Sequence, residues 1–176
     1  MIFGMPSLAC FRSIEENLAF ASQLGLDFVE LNMNLPFCTV QALQEENLRA
    51  LCEKYGVFLT LHADENLFFC DFNHLVADAH LQTMLDTISL CRENDIPLIN
   101  FHMSEGVHFS LPGRKDRLIH MHLHDALGKK NHLALGTGEI DLKAFLNAAS
   151  PQRVVIEVKA PDELTESVSY LKSHLR

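Results

Sequence analysis

Short apolar stretches alternate with amphipathic stretches along this chain, which predicts strands alternating with helices. Period-two or continuous apolar runs predict strands at 2–8, 28–32, 57–63, 98–103, 118–124 and 154–159. Helical spacing of apolar positions predicts helices at 14–24, 39–55, 72–94, 141–149 and 161–175. The alternation is interrupted at 106–117, which contains Pro112-Gly113 and has no helical period.

The order of these elements predicts an α/β fold with a parallel sheet of about six strands. The strands are mostly apolar on both faces, as parallel strands covered by helices are. Local signals support the helix ends, because Ser13 and Glu16 form a capping box and Gly25 follows the first helix. No linker or low-complexity stretch divides the chain, so we predict a single domain over 1–176.

Composition narrows the classes of partner. The formal net charge of -9 among 176 residues disfavours binding to nucleic acid or to an anionic membrane surface. The apolar runs are far shorter than the roughly 20 residues that span a bilayer, and the amino end has no signal-peptide pattern. The five scattered cysteines predict free buried thiols in a reducing cytoplasm, with a cysteine metal site or nucleophile as the alternative.

Polar residues capable of metal or acid–base chemistry lie near the carboxyl ends of five predicted strands. They are Glu30, His62, His102, His122 with His124, and Glu157. Parallel strands bring these ends to one side of a sheet, which predicts a shared site. Each residue alone has a structural explanation as a hydrogen-bonded or ion-paired group. We assign that structural role to His120, which lies towards the amino end of its strand.

Neutral imidazoles and carboxylates together favour Zn²⁺ or Mn²⁺ over Mg²⁺ as the ion in such a site. The nearby Gly136-Thr137-Gly138 sequence allows two interpretations. It is a turn that leads into a helix capped by Asp141, or it is a loop whose amides approach a phosphate or a sugar.

At these residues the sequence resembles the xylose isomerase-like TIM-barrel superfamily, which includes endonuclease IV and many sugar-phosphate isomerases and epimerases. The matching segments are GLDFVEL, LTLHAD, INFHMS, HMHLHDALGKKNHLALGTGEID and IEVK. A complete barrel of this kind has eight strands and about 250 residues. The resemblance therefore implies a shortened barrel with strands one to four, seven and eight, and an internal deletion near 111–118. Such a barrel either closes with six strands or stays open, and open edges favour a homodimer.

The resemblance also implies roles for individual residues. The implied metal ligands are His62, His102, His122, His132 and Glu157, with Lys130 where an acidic ligand is usual. Glu157 is in addition the implied acid–base residue, and Glu30 is the second candidate for that role. The residues implied in substrate binding are His124, Asp125, Gly136, Gly138 and Lys159.

Three functions follow as hypotheses. The first is a divalent-metal-dependent isomerase or epimerase that acts on a small sugar or sugar phosphate. The second is a shortened, non-catalytic barrel that binds a metal ion or a metabolite. The third is an endonuclease IV-like phosphodiesterase, which the acidic composition and the replacement of a ligand by Lys130 disfavour.

Overall fold

A computed structural model describes residues 1–69, 71–102 and 119–175 of the chain. Up to residue 102 the elements are β1 (Ile2–Pro6), α1 (Ile14–Leu24), β2 (Phe28–Asn32), a 3₁₀ turn (Pro36–Cys38), α2 (Val40–Gln44), α3 (Leu48–Tyr55), β3 (Phe58–His62), α4 (His74–Glu93) and β4 (Ile99–Asn100). From residue 119 they are β5 (His120–Leu123), β6 (Asp125–Leu127), β7 (Lys130–Leu133), α5 (Leu142–Ala149), β8 (Arg153–Ile156), α6 (Pro161–Tyr170) and a π-helical turn (Leu171–Leu175).

Six of the strands form one parallel sheet in the order β4-β3-β2-β1-β8-β5, which confirms the predicted α/β fold. Gly4 is required where β1 pairs with β2, because a Cβ at this position would overlap the ring of Phe28. The helix expected at 39–55 is two helices. The side chain of Thr39 caps the first and that of Asn47 caps the second, so the two caps divide the segment.

The second half contains a hairpin that the pattern did not predict. Strands β6 and β7 pair antiparallel across a turn at Gly128, whose φ is 57°. Of the strand expected at 98–103, the described residues 98–102 include two in ladder pairing, and these form the edge strand β4. The interruption at 106–117 and the deletion expected near 111–118 lie outside the described residues.

The sheet is strongly curled. Strands β2 and β5 are separated by β1 and β8 in the hydrogen-bonded order, yet Glu30 of β2 contacts His120 and His122 of β5 across the interior. At the two edges, Asn100 Nδ2 of β4 lies 3.4 Å from His122 Nε2 of β5. Among the described residues β4 and β5 are not paired as strands, so the barrel is left open.

Packing is uneven around this sheet. Helix α1 buries Ile14, Leu18 and Ala21 against the core, and its Ser13 cap and the left-handed Gly25 are as expected. Helix α4 has 20 residues but buries only three side chains, Thr87, Leu90 and Cys91, among the described residues. Several of its apolar side chains are therefore exposed to solvent, and they are Leu75, Val76, Leu81, Leu85 and Ile88.

The described cysteines are free thiols, as expected: Cys10, Cys38, Cys52 and Cys91. Burial raises the pKa of the Cys38 and Cys91 thiols to about 11, which makes both poor nucleophiles. Cys10 differs from the expectation because it is exposed, and Cys70 lies outside the described residues. Within the described part of the chain, no helix is long and apolar enough to cross a membrane.

Candidate active site

The interior of the curled sheet holds a buried cluster of one carboxylate and two imidazoles. Glu30, which is 1% exposed, accepts hydrogen bonds from His120 Nε2 at 3.0 Å and from His122 Nε2 at 2.6 Å. Burial alone would raise the pKa of Glu30, but the hydrogen bonds from the two histidines outweigh it and lower this pKa to about 2. We call these three residues the interior cluster.

His122 connects this cluster to Glu157, at the carboxyl end of β8. Its Nδ1 lies 3.3 Å from Glu157 Oε2, so both nitrogens of the ring face a carboxylate. Burial would lower the pKa of His122, but hydrogen bonds to Glu157 and Glu30 raise it to about 10. The hydrogen bond from His122 lowers the pKa of Glu157 in turn, against a smaller effect of burial.

A second group lies at the end of β7 and the start of the β6–β7 hairpin. The hairpin turns back so that the rings of His124 and His132 stack with centroids 4.4 Å apart. His132 Nε2 lies 3.5 Å from Glu157 Oε1. All three side chains are partly exposed, and we call His124, His132 and Glu157 the rim cluster.

His62 and His102 form a third group. Their Nε2 atoms are 3.1 Å apart, and His62 Nδ1 lies 2.9 Å from the carbonyl oxygen of Ala63. A carboxylate oxygen of Glu65 is within 4.8 Å of ligand nitrogens of both rings. The centroids of the His62 and His122 rings are 5.9 Å apart, so this pair adjoins the interior cluster.

The five expected metal ligands therefore lie close together but in separate groups. His62 and His102 form a pair, His132 and Glu157 belong to the rim cluster, and His122 bridges Glu157 to Glu30. Lys130, where an acidic ligand is usual in the family, is an exposed residue of β7.

Two of the expected substrate-binding residues, Gly136 and Gly138, are hydrogen-bonded to a third, Asp125. The buried Asp125 carboxylate accepts hydrogen bonds from the backbone amides of Ala126, Gly136, Gly138 and Ile140 at 2.8 to 3.2 Å. Burial opposes ionisation of Asp125, but these four amides lower its pKa. A Cβ at Gly138 would overlap this carboxylate, so glycine is required there. The loop amides thus have a partner within the protein, and a substrate role for these residues stays a prediction.

A cavity of about 360 Å³ opens beside Glu157 and His132. Its walls include Ser7, Asn32 and Lys159, the last of the expected substrate residues. This volume lies at the lower end of the roughly 300–1,000 Å³ that is usual for small-molecule sites.

Sequence reasoning missed the proximity of His120 and Asn100 to the site. His120 is hydrogen-bonded, as its structural assignment required, but its partner is Glu30, at the centre of the interior cluster. The signal was present, because His120 and His122 share one face of the strand by period two.

Comparison with known proteins places this geometry in a known fold. No family model and no curated protein matches the chain. Among solved structures, AsfvAP:AG matches with a TM-score of 0.63 and 14% identity over 99% of each chain. Apo 3-keto-D-glucoside 4-epimerase, YcjR, from E. coli matches with a TM-score of 0.60 and 15% identity, over 98% of this chain and 99% of that one. D-allulose 3-epimerase from Methylomonas sp. in complex with D-allulose gives 0.56 and 12%, over 98% and 96%.

The chain has a shortened TIM-barrel-like fold, which these solved structures share. Identities of 12–15% establish the fold alone. In TIM barrels, catalytic groups come from the carboxyl ends of the strands. In this shortened TIM-barrel-like fold, Glu157 and His124 each follow the last residue of a strand, β8 and β5 respectively, and a partly exposed site is open beside them.

Proposed function

We propose that this protein is a divalent-metal-dependent isomerase or epimerase of a small sugar or sugar phosphate that works in the cytoplasm. The observation that carries the proposal is Glu157, a carboxylate at the end of β8 between His122 and His132, on the wall of a cavity of about 360 Å³. Support comes from the fold, which is shared with a 3-keto-D-glucoside 4-epimerase and a D-allulose 3-epimerase.

The donor set fits Zn²⁺ or Mn²⁺. His62, His102, His132 and Glu157 would hold the metal, because imidazole nitrogen and carboxylate oxygen suit these ions. His122, the fifth expected ligand, has both ring nitrogens paired with Glu30 and Glu157 and would have to release one of them to bind the ion. His132 Nδ1 is buried and has no hydrogen-bond partner in the described part of the chain. Buried polar atoms rarely lack a partner, so this is consistent with a bound group that the structure does not contain. When bound, such an ion polarises a substrate carbonyl, which increases the acidity of the neighbouring C–H bond.

Glu157 is the proposed acid–base residue. Its lowered pKa keeps it ionised near neutral pH, so it can accept a proton from a substrate carbon and return one. Glu30, the second candidate, is buried and acts through His122, which it orients towards Glu157. Lys159 lies at the cavity wall, where its positive charge would bind a sugar hydroxyl or a phosphate. The other proposed substrate-binding residues are His124, Asp125, Gly136 and Gly138.

The test is exchange of a substrate carbon-bound proton with solvent. Chelator-treated protein is loaded with Mn²⁺ or Zn²⁺ and incubated in D₂O with ketohexoses, their phosphates and a 3-keto-glucoside. We expect one deuterium per turnover next to the carbonyl, detected by NMR. Glu157→Gln should lower the rate about 10²- to 10⁴-fold, the usual contribution of a general acid–base group.

Glu166→Gln is the matched control, since Glu166 is an exposed glutamate of α6 outside the site. Its exchange rate should equal that of the wild type. Stoichiometric metal binding without exchange on any of these substrates would contradict the proposed activity and favour the non-catalytic metal- or metabolite-binding barrel.

We propose further that the protein is a homodimer that pairs through α4. Five exposed positions of α4 follow the spacing 3-4-3-4 and form one stripe: Asp78, Leu81, Leu85, Ile88 and Arg92. A two-fold axis at Leu85 would place two copies of the helix antiparallel. Asp78 of each copy would then face Arg92 of the other, and the apolar residues would meet between these ion pairs.

Sedimentation velocity tests this pairing. We expect a dimer at micromolar concentration for the wild type and a monomer for Leu85→Glu, which places like charges together at the axis. Asp78→Arg should also dissociate the dimer, and the double variant Asp78→Arg/Arg92→Asp should restore it. A wild-type monomer at 100 µM, or a dimer that Leu85→Glu leaves intact, would contradict the proposal.

A further inference from the structure

We infer that a divalent metal ion binds within the rim cluster, and that His124 is one of its protein ligands together with His132 and Glu157. One ligand atom from each residue lies within 4.8 Å of the other two. The inference deepens the proposed function and rests on its metal dependence, but it gives His124 a different role from substrate binding.

The spacing of the rim cluster fits an ion better than it fits direct hydrogen bonds. Ligands at about 2.0–2.2 Å from a tetrahedral Zn²⁺ lie roughly 3.4 Å from one another. His132 Nε2 and Glu157 Oε1 are 3.5 Å apart, which is longer than an ordinary N–H···O hydrogen bond of about 2.7–3.2 Å. These two atoms face each other at the separation of neighbouring metal ligands.

His124 has the outer contact that a metal-binding histidine needs. Its Nδ1 contacts two backbone groups, the carbonyl oxygen of Asp125 at 3.1 Å and the amide nitrogen of His132 at 3.2 Å. In the tautomer whose Nδ1–H donates to the Asp125 oxygen, and which no longer accepts from the His132 amide, Nε2 has a free lone pair, as in most metal-ligating histidines. Four backbone amides fix the Asp125 side chain, so the backbone that supplies this carbonyl is itself held in place.

The backbone places His132 at some conformational cost. Its φ is 55°, in the left-handed region that residues other than glycine rarely adopt. In this conformation the ring stacks on His124 and its Nε2 faces Glu157. The hairpin therefore holds the two imidazoles and the carboxylate together in spite of strain at the central residue.

The interior cluster has the same residue types but its carboxylate is occupied. Each oxygen of Glu30 accepts a hydrogen bond from an imidazole N–H, at 3.0 and 2.6 Å. The rim residues are instead partly exposed, so an ion can reach them from solvent. Three protein ligands with an open position for water or substrate are the arrangement of a catalytic Zn²⁺ site.

Metal binding to chelator-treated protein tests the inference without reference to activity. The variant His62→Ala/His102→Ala removes the other histidine pair and serves as the background. We expect this background to bind one equivalent of Co²⁺, with the visible absorption of a low-coordinate ion, and of Zn²⁺ by calorimetry. Adding His124→Ala should weaken Zn²⁺ binding at least about 100-fold, since even loss of an outer contact costs 10- to 100-fold.

His74→Ala is the matched control, because His74 is an exposed histidine at the start of α4. It should leave Zn²⁺ affinity unchanged. Should the triple variant fail to fold by circular dichroism, His124→Asn in the otherwise wild-type chain should lower the bound Zn²⁺ by one equivalent. Equal Zn²⁺ affinity or stoichiometry with and without His124 overturns the inference.

This failure differs from failure of the proposed function. If Zn²⁺ binds equally well without His124 while proton exchange continues, the ligand assignment is wrong and the enzyme proposal stands. If His124 is required for Zn²⁺ binding but the wild type exchanges no proton on any substrate, the metal site stands and the enzyme proposal fails.

Discussion

The interior cluster and the rim cluster each contain two histidines and one glutamate, yet their surroundings differ. Glu30 is 1% exposed and both of its oxygens accept imidazole hydrogen bonds of 2.6 and 3.0 Å. The Glu157 side chain is 32% exposed, and its nearest imidazole contacts are 3.3 and 3.5 Å. The same residue types therefore form a closed hydrogen-bonded group in one place and an open group in the other.

Burial explains why the two clusters should respond differently to substitution. Inside the curled sheet, water cannot replace a lost partner, so a broken hydrogen bond leaves a desolvated polar group. At the rim, water can occupy the place of a removed side chain. We therefore expect the interior cluster to determine stability and the rim cluster to determine ligand binding.

Glu30→Ala should have the largest effect on stability. Removing the carboxylate leaves His120 and His122 without their buried acceptor, and breaking a buried pair from one side costs about 3–5 kcal/mol. Urea unfolding followed by circular dichroism measures the loss. Glu65→Ala, at an exposed glutamate, should change the free energy of unfolding by less than about 0.5 kcal/mol. Equal effects of the two substitutions would mean that the buried carboxylate of Glu30 contributes no more to stability than an exposed one.

The pH dependence of the free energy of unfolding should reflect the ionisation of Glu30 and His122 in the interior cluster. The folded pKa of Glu30, about 2, is below its ordinary value of 4.5, so its stabilisation is present above pH 4.5 and lost as pH falls towards 2. The folded pKa of His122, about 10, is above its ordinary value of 6.5, so its stabilisation is present below pH 6.5 and lost as pH rises towards 10. Both contributions are fully present only between pH 4.5 and pH 6.5, so wild-type stability should be greatest there.

The loss on the acid side should reach about 3.5 kcal/mol, because the folded pKa of Glu30 lies 2.5 below its ordinary value and each unit of pKa corresponds to about 1.4 kcal/mol. Urea unfolding at a series of pH values measures it. Glu30→Ala should flatten the acid side of the profile, whereas Glu166→Gln should preserve it. A wild-type profile that is flat from pH 3 to pH 9 would contradict the assignment.

The sequence was sufficient to predict the fold class, whereas the functional site stays a prediction. Alternating apolar stretches predicted six parallel strands, and the polar residues at their ends predicted one shared rim. The pattern did not predict how the sheet curls, because curling depends on contacts between strands distant in sequence, such as Glu30 with His120, 90 residues apart. Only the curled structure shows that His122 lies between Glu30 and Glu157, whereas His132 faces Glu157.

Two local features, the loop at 136–138 and the β6–β7 hairpin, could not be predicted from the sequence pattern alone. The Gly136-Thr137-Gly138 sequence was compatible with a turn or a phosphate loop, and only the structure brings its amides onto Asp125. The hairpin β6–β7 was missed because its strands are three and four residues long, too short for a periodic signal. His124 was predicted from the sequence as a substrate-binding residue at the end of a strand, and its stacking on His132 could not be predicted without the hairpin.

Glu157→Gln should affect stability much less than Glu30→Ala does, although it should abolish most activity. Its carboxylate is partly exposed, and partly exposed ion pairs contribute about 0–1 kcal/mol, so unfolding should change by less than about 1 kcal/mol. The amide keeps the shape of the side chain, and water can solvate His132 at the rim. Urea unfolding in the presence of a chelator measures this, because bound metal would otherwise stabilise the wild type alone. A loss as large as that of Glu30→Ala would mean that Glu157 belongs to the buried network and that the rim is not a separate, open site.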